Sequence, residues 1–250
     1  MEFDGKVAFI TGAAQGFGYA FAESLGADGA SVVIADVNSQ AGEVAAAKLR
    51  DQGIKALAVA CDVSDSESVN AAIAASIAEF GGVDILINNA GLHLTKYSQP
   101  FHVLGVKDTK ALFDVNVLGV VYCTLACQET MTARGGGSII NISSMASNMP
   151  GSPYGVSKLA VRGLTIAFSR EFANANIRVN AISPGLMATE AAIADLPNDM
   201  VQNMINVQQA VHRIGSIDDI VNMMRFLISE KASFVTGETY RVSGGAMQGI

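Results

Sequence analysis

A chain of 250 residues, half of them apolar, can build one domain with a sizeable core; 16% charged residues and only 5 prolines exclude a disordered chain. The net charge of −7 excludes a nucleic-acid-binding surface made of clustered basic residues. No unbroken apolar run reaches the length of a membrane span, and the opening MEFDGKVAFITG lacks the basic start of a secretory signal, so a cytoplasmic protein with no membrane partner is expected.

Along the chain, short apolar runs at 6–10, 31–35, 55–61, 83–87, 138–142, 177–182 and 239–242 alternate with longer segments of helical spacing. Runs apolar at nearly every position fit strands buried on both faces of a parallel sheet. Val69, Ile73, Ile77 and Phe80 trace one helix face, and Ser64 with Glu67 predicts its capping box. A helix is expected over 110–131, and Ser152-Pro153 suits the start of another. Ser216 with Asp219 predicts a second capping box before Ile220, Met223, Met224 and Leu227. The alternation implies a single doubly wound, Rossmann-type α/β domain over 1–250, with about seven parallel strands and helices on both faces. Segments 92–106 and 187–213 break the rhythm. Each follows the C-terminal end of a strand, where open α/β sheets bind ligands, and each is expected to form a rim or lid.

The first strand runs into Thr11-Gly12-Ala13-Ala14-Gln15-Gly16-Phe17-Gly18, after which helical spacing begins. Glycines in that context allow a tight turn and a close approach of main-chain N–H groups to a pyrophosphate, which the helix N-terminus also favours. Gly12, Gln15, Gly16, Phe17 and Gly18 are therefore candidate cofactor-binding residues. Asp36 closes the second strand, where a carboxylate can accept both ribose hydroxyls of an adenosine and repel a 2′-phosphate. None of Ala14, Gln15, Val37 and Asn38 is basic, so NAD is expected over NADP, with Val37 beside the adenosine.

Tyr154 and Lys158 fall four residues apart on one helix face. A free tyrosine is a poor base at neutral pH, and a nearby ammonium would lower its pKa and prepare it to exchange a proton with an alcohol or carbonyl. Cys61, Cys123 and Cys127 form no framework of pairs, and neither they nor His93, His102 and His212 have metal-ligand spacing, so no metal is expected. His93 is a candidate substrate contact.

The glycine turn at 11–18, NNAG at 88–91, Asn116, the set Ser144, Tyr154 and Lys158, and Pro184-Gly185 occur in one chain in that order. This resembles the short-chain dehydrogenase/reductase family, in its smaller form, over essentially the whole length. The resemblance implies Tyr154 as catalytic acid/base, with Lys158 lowering its pKa and holding the nicotinamide ribose. It implies Ser144 as the hydroxyl that steadies the substrate oxygen, and Asn116 as a residue that kinks its helix and anchors a proton-relaying water. It further implies adenine contacts from Asp62 and Val63, and a wall beneath the cofactor from Asn89, Ala90 and Gly91. Pro184, Gly185, the Met187 backbone and Thr189 would grip the nicotinamide end. Ser144 and Tyr154 are closer together in sequence than the family pattern, so Ser143 or Ser147 could hold the serine role. The stretch from Gly91 to Asn116 is longer than that pattern.

The resulting expectation is an NAD-dependent oxidoreductase interconverting an apolar secondary alcohol and a ketone. The alternatives are a 3-oxoacyl-thioester reductase of the acyl-carrier-protein type and a dinucleotide-sensing protein without turnover; the presence of Tyr154 and Lys158 counts against the second. Apolar residues cover more of the helices at 110–131 and 153–172 than one sheet contact needs, and with the resemblance this implies a homotetramer.

Overall fold

The fold was obtained as a computed structural model that describes residues 1–93, 95–189 and 197–246. Seven strands, β1 (Val7–Thr11), β2 (Ser31–Asp36), β3 (Ala56–Ala60), β4 (Ile85–Asn88), β5 (Gly137–Ile142), β6 (Ile177–Pro184) and β7 (Thr239–Val242), make one sheet in the order β3-β2-β1-β4-β5-β6-β7. Every pairing is parallel. Side chains alternate across a strand, so the inner strands feed two cores. Ala8, Ile10, Ile34 and Ile87 pack on one face under α1 (Gly16–Ala27), α2 (Ser39–Asp51) and α8 (Ile217–Ile228). Phe9, Val33, Leu86 and Ile139 pack on the other under α3 (Ser66–Phe80), α5 (Gly119–Ala133) and α6 (Pro153–Glu171). This is why the strands read as continuous apolar runs rather than alternating ones. The strand order reverses between β1 and β4, which opens a crevice at the C-terminal end of both.

A buried polar ladder crosses the second core. Asn88 Nδ2 on β4 donates to Thr124 Oγ1 on α5 at 3.2 Å and to Asn141 Oδ1 on β5 at 2.8 Å. Asn141 Nδ2 in turn donates to Thr165 Oγ1 on α6 at 3.0 Å.

Local structure departs from the sequence expectations in four places. The cap of α3 is Asp65, whose carboxylate accepts from Glu67 N at 3.0 Å, because the Ser64 hydroxyl is drawn to Asp62 Oδ1 at 2.7 Å. The helix expected from residue 110 begins earlier, as α4 (Phe101–Phe113) set on Pro100, with Gly105 at φ +76 breaking its middle. Segment 92–106 is thus partly helical, with a 3-10 turn at Thr95–Ser98. In 187–213, α7 (Asn198–Asn203) runs into a π turn at Met204–Gln208, while 190–196 lie outside the described residues.

Lastly, the run Phe101–Ala133 is long enough, and at a mean hydropathy of 1.5 apolar enough, to cross a membrane by those two measures. Counting unbroken apolar stretches missed it because polar residues interrupt an otherwise apolar average. Cys123, Cys127 and Met131 of this run pack into the core, while Leu118 and Leu125 face outward. The capping box of Ser216 and Asp219 on α8, and Ser152 capping α6 with Pro153 following, are as expected.

Candidate active site

The glycine turn is shaped by close contact. Gly12 has φ +60, and a Cβ there would lie 2.9 Å from Ala90 Cα, so β1 and β4 approach each other through it. A Cβ on Gly18 would stand 2.5 Å from Gly12 O and 2.8 Å from Asn89 Nδ2. Gly16, at φ +59, faces open space. The N-cap residue Gln15 makes no side-chain bond to α1, and Phe17 stacks inward on Phe21. The result is an open, uncapped helix start with main-chain N–H groups at the crevice, which fits a dinucleotide pyrophosphate.

Asp36 stands beside this turn with its carboxylate fixed by two main-chain donors, Ala14 N and Asn38 N, each at 3.0 Å. A carboxylate has about four acceptor positions, which leaves room for ribose hydroxyls. Val37 next to it is exposed. Asp62 is exposed at the end of β3, accepting from Ser64 N at 2.9 Å, and Val63 is buried against Gly119, where a Cβ would sit 2.9 Å from Val63 Cγ2. At the far end, Gly185 N donates to Val242 O at 2.9 Å, seating Pro184-Gly185 on β7. Buried Met187 bridges to Gly215, and Thr189 N donates to Met187 O at 2.9 Å. The proposed cofactor residues therefore line the C-terminal ends of the strands from β3 to β6.

One residue of this crevice was not singled out from the sequence. Thr11 Oγ1 accepts from both Asn89 N and Ala90 N at 3.0 Å, while Asn89 Nδ2 donates to Thr11 O and Gly12 O at 3.0 Å. A threonine ending β1 opposite an asparagine ending β4 was the available signal.

The catalytic candidates meet on the β4–β5 side. Asn116 sits in a π turn at Asp114–Leu118 between α4 and α5, so the helix is deformed where the resemblance implies a kink. Its side chain pairs with the main chain of Leu92, accepting from Leu92 N at 2.7 Å and donating to Leu92 O at 2.9 Å. It also donates to Ser157 Oγ at 3.1 Å. A Cβ on Gly91 would stand 3.3 Å from both Asn116 Oδ1 and Lys158 Nζ, which brings three candidate residues together.

Lys158 is 5% exposed and donates to Ile142 O at 2.8 Å; burial lowers its pKa to about 8. Burial pushes the Tyr154 phenol above its ordinary pKa, opposed by a hydrogen bond with the Ser144 hydroxyl. The expected lowering by Lys158 is not among these causes. The ammonium lies 5.9 Å from the centre of the tyrosine ring and is turned to the strand carbonyl, so desolvation dominates.

The three serines separate by environment. Ser143 is buried and donates to Lys158 O at 2.9 Å. Ser147 is buried, and its hydroxyl has no hydrogen-bond partner among the described residues. Ser144 alone of the three is part-exposed and meets Tyr154; its Oγ also accepts from Ala146 N at 3.2 Å. Among the described residues no group of three His, Cys, Asp or Glu could hold a metal ion, and His93, His102 and His212 are exposed.

A family model described as enoyl-(acyl carrier protein) reductase matches residues 12–247. Dehydrogenase/reductase SDR family member 4 of Bos taurus is 36% identical over 98% of this chain and 88% of its own. Cis-4-hydroxycyclohexanecarboxylate dehydrogenase of Sinomonas cyclohexanicum is 38% identical, with 96% of each chain covered. Among solved structures, a 7α-hydroxysteroid dehydrogenase complexed with NADH and 7-oxo glycochenodeoxycholic acid superposes with a TM-score of 0.91, at 34% identity over 99% of this chain and 96% of that one.

Proposed function

Since the chain belongs to the short-chain dehydrogenase/reductase family of oxidoreductases, we propose that it is an NAD-dependent enzyme interconverting an apolar secondary alcohol and a ketone, with Tyr154 as acid/base. The observation that carries this reading is the meeting of Tyr154, Ser144, Lys158 and Asn116 at the ends of β4 and β5, beside the glycine crevice. Bound NAD would supply the hydride acceptor. The residues of this chain handle the oxygen and the proton. The Ser144 hydroxyl, already aimed at Tyr154, donates to the substrate oxygen and steadies the charge that develops there. In the oxidative direction Tyr154 takes the hydroxyl proton as phenolate; in the reductive direction it gives the proton as phenol. Lys158, which donates to the Ile142 carbonyl, would hold the nicotinamide ribose, and Asn116 fixes the Leu92 backbone at the edge of the same pocket. Asp36 sets the choice of NAD over NADP.

The substrate class rests on the rims. Phe101, Val103, Met149, Met200 and Val207 are exposed on the segments that follow β4, β5 and β6. Together with the ring alcohol and ring ketone named for the two dehydrogenase relatives, these favour a ring-borne secondary alcohol. The family model's description favours a second reading, reduction of an acyl thioester on a carrier protein. A homotetramer belongs to the main reading, supported by outward-facing Leu118, Leu125, Leu159 and Ile166 on adjoining helices.

The test is a panel of cyclic secondary alcohols with NAD and with NADP, followed by the absorbance of the reduced cofactor, beside a 3-oxoacyl thioester with reduced cofactor. Turnover of ring alcohols with NAD is the expected outcome. Activity confined to the thioester would replace this reading by the second, and cofactor binding with no turnover of any substrate would remove both. Sedimentation at micromolar concentration is expected to give a species near four times 25.9 kDa.

A further inference from the structure

We infer that Gly155 is a positioning residue: lacking a side chain, it lets the short segment between Ser144 and Tyr154 close on the first turn of α6 so that the Ser144 hydroxyl meets the Tyr154 phenol. The inference rests on the acid/base reading of Tyr154. Glycine is a weak helix former, and a buried glycine in a first helical turn with its N–H already bonded to the cap, Ser152 Oγ at 3.2 Å, has no conformational reason to be there. Its reason is contact. A Cβ at Gly155 would stand 2.9 Å from Ala146 O and 2.9 Å from Pro150 Cα, both main-chain atoms that no rotamer change can move aside.

The segment cannot retreat as a body, because α6 holds it beside Ser144 and again at its middle, at Asn148. Ser143 Oγ donates to Lys158 O at 2.9 Å, and Arg162 Nη1 donates to Asn148 Oδ1 at 3.2 Å. A methyl group at 155 would therefore be absorbed between these anchors, where Ser144 and Ala146 lie. Gly163, two turns further along the same helix, has nothing within 4 Å of an added Cβ and supplies the control.

The experiment compares Gly155→Ala, Ser144→Ala, the double variant and Gly163→Ala. One readout needs neither substrate nor cofactor: the ultraviolet titration of the Tyr154 phenol, taken as the difference from Tyr154→Phe. Gly155→Ala should move that midpoint upward, in the same direction as Ser144→Ala, because the hydrogen bond that favours phenolate is lost. It should lower kcat about tenfold to a hundredfold with NADH affinity within about twofold, and in the Ser144→Ala background it should lower kcat by less than about twofold. Gly163→Ala, whose added Cβ meets nothing within the chain, should leave the Tyr154 midpoint unmoved. An unmoved midpoint and kcat in Gly155→Ala would overturn the inference, as would a full loss of kcat that persists without Ser144. Should Gly155→Ala fail to fold by circular dichroism, a Gly-Ser insertion after Met149 should restore folding and turnover by lengthening the segment; failure there, with the insertion alone folded, also overturns it. Absence of alcohol turnover in the unaltered protein would count against the proposed function, while the titration still decides the role of Gly155.

Discussion

The two sides of the crevice are built on different terms. On the β1–β3 side the groups at the crevice are main-chain atoms of the glycine turn and one carboxylate, Asp36, that two main-chain amides already hold. On the β4–β6 side they are side chains on a helix start and two loops, and the central pair, Tyr154 and Lys158, has both pKa values displaced by burial. The first side is stabilised by being made and then left alone. The second keeps an ammonium in a place that disfavours charge, which is the usual mark of a reacting centre rather than of a scaffold.

Variants on opposite sides should therefore fail in different ways. The largest effect is expected from Tyr154→Phe, which removes the proposed proton-exchanging group: kcat should fall by roughly a hundredfold to ten-thousandfold, with NADH binding by fluorescence unchanged. A loss of cofactor binding in that variant would break the separation of the two sides. Asp36→Ala should do the reverse, leaving kcat with saturating NAD near normal while eroding a preference over NADP of about 2–4 kcal/mol, or roughly thirtyfold to a thousandfold. Ratios of kcat/KM for the two cofactors measure it, and equal ratios before and after the change would remove Asp36 from the account.

The smallest effect sharpens the contrast. Burial lowers the Lys158 pKa from its ordinary 10.5 to about 8 in the folded chain. Below the lower value both states carry the proton, and the folded state bears the full penalty of a buried charge. Between the two the unfolded chain binds more protons, so stability rises with pH through this window. Lys158→Met, which keeps the apolar stem, should therefore raise the melting temperature at pH 7 by a few degrees, for a gain of ~1–3 kcal/mol, while abolishing turnover. The gain should shrink toward pH 10. A variant less stable than the parent at pH 7 would mean that the bond to the Ile142 carbonyl outweighs desolvation.

The same contrast explains what could be read from the chain. Strand positions, the glycine turn, Asp36 and the caps at Ser152 and Ser216 depend on local periodicity and on residues with narrow conformational uses, and all are legible. The cap at Asp65 was not, since Ser64 and Asp65 both qualify and only the carboxylate of Asp62 decides between them. The start of α4 was hidden by Gly105, which reads as a loop residue and is in fact a break inside the helix. Tyr154 and Lys158 could be paired by spacing, but the sign of the tyrosine shift could not. It depends on how deeply the helix start is buried and on Lys158 turning to a carbonyl contributed by β5.

The polar ladder from Thr124 to Thr165 has a consequence for how the chain finds its fold. Parallel neighbours have no hairpin turn to align them, and β4 and β5 are separated by two helices, so nothing local sets their register. A slip by one residue would keep much of the apolar contact, because both strands are greasy on both faces. It would also bury the amides of Asn88 and Asn141 without each other, and a buried unmatched amide is penalised far more than a poorly matched isoleucine. The pair thus favours the native register of β4 and β5 over slipped ones that apolar burial alone would accept.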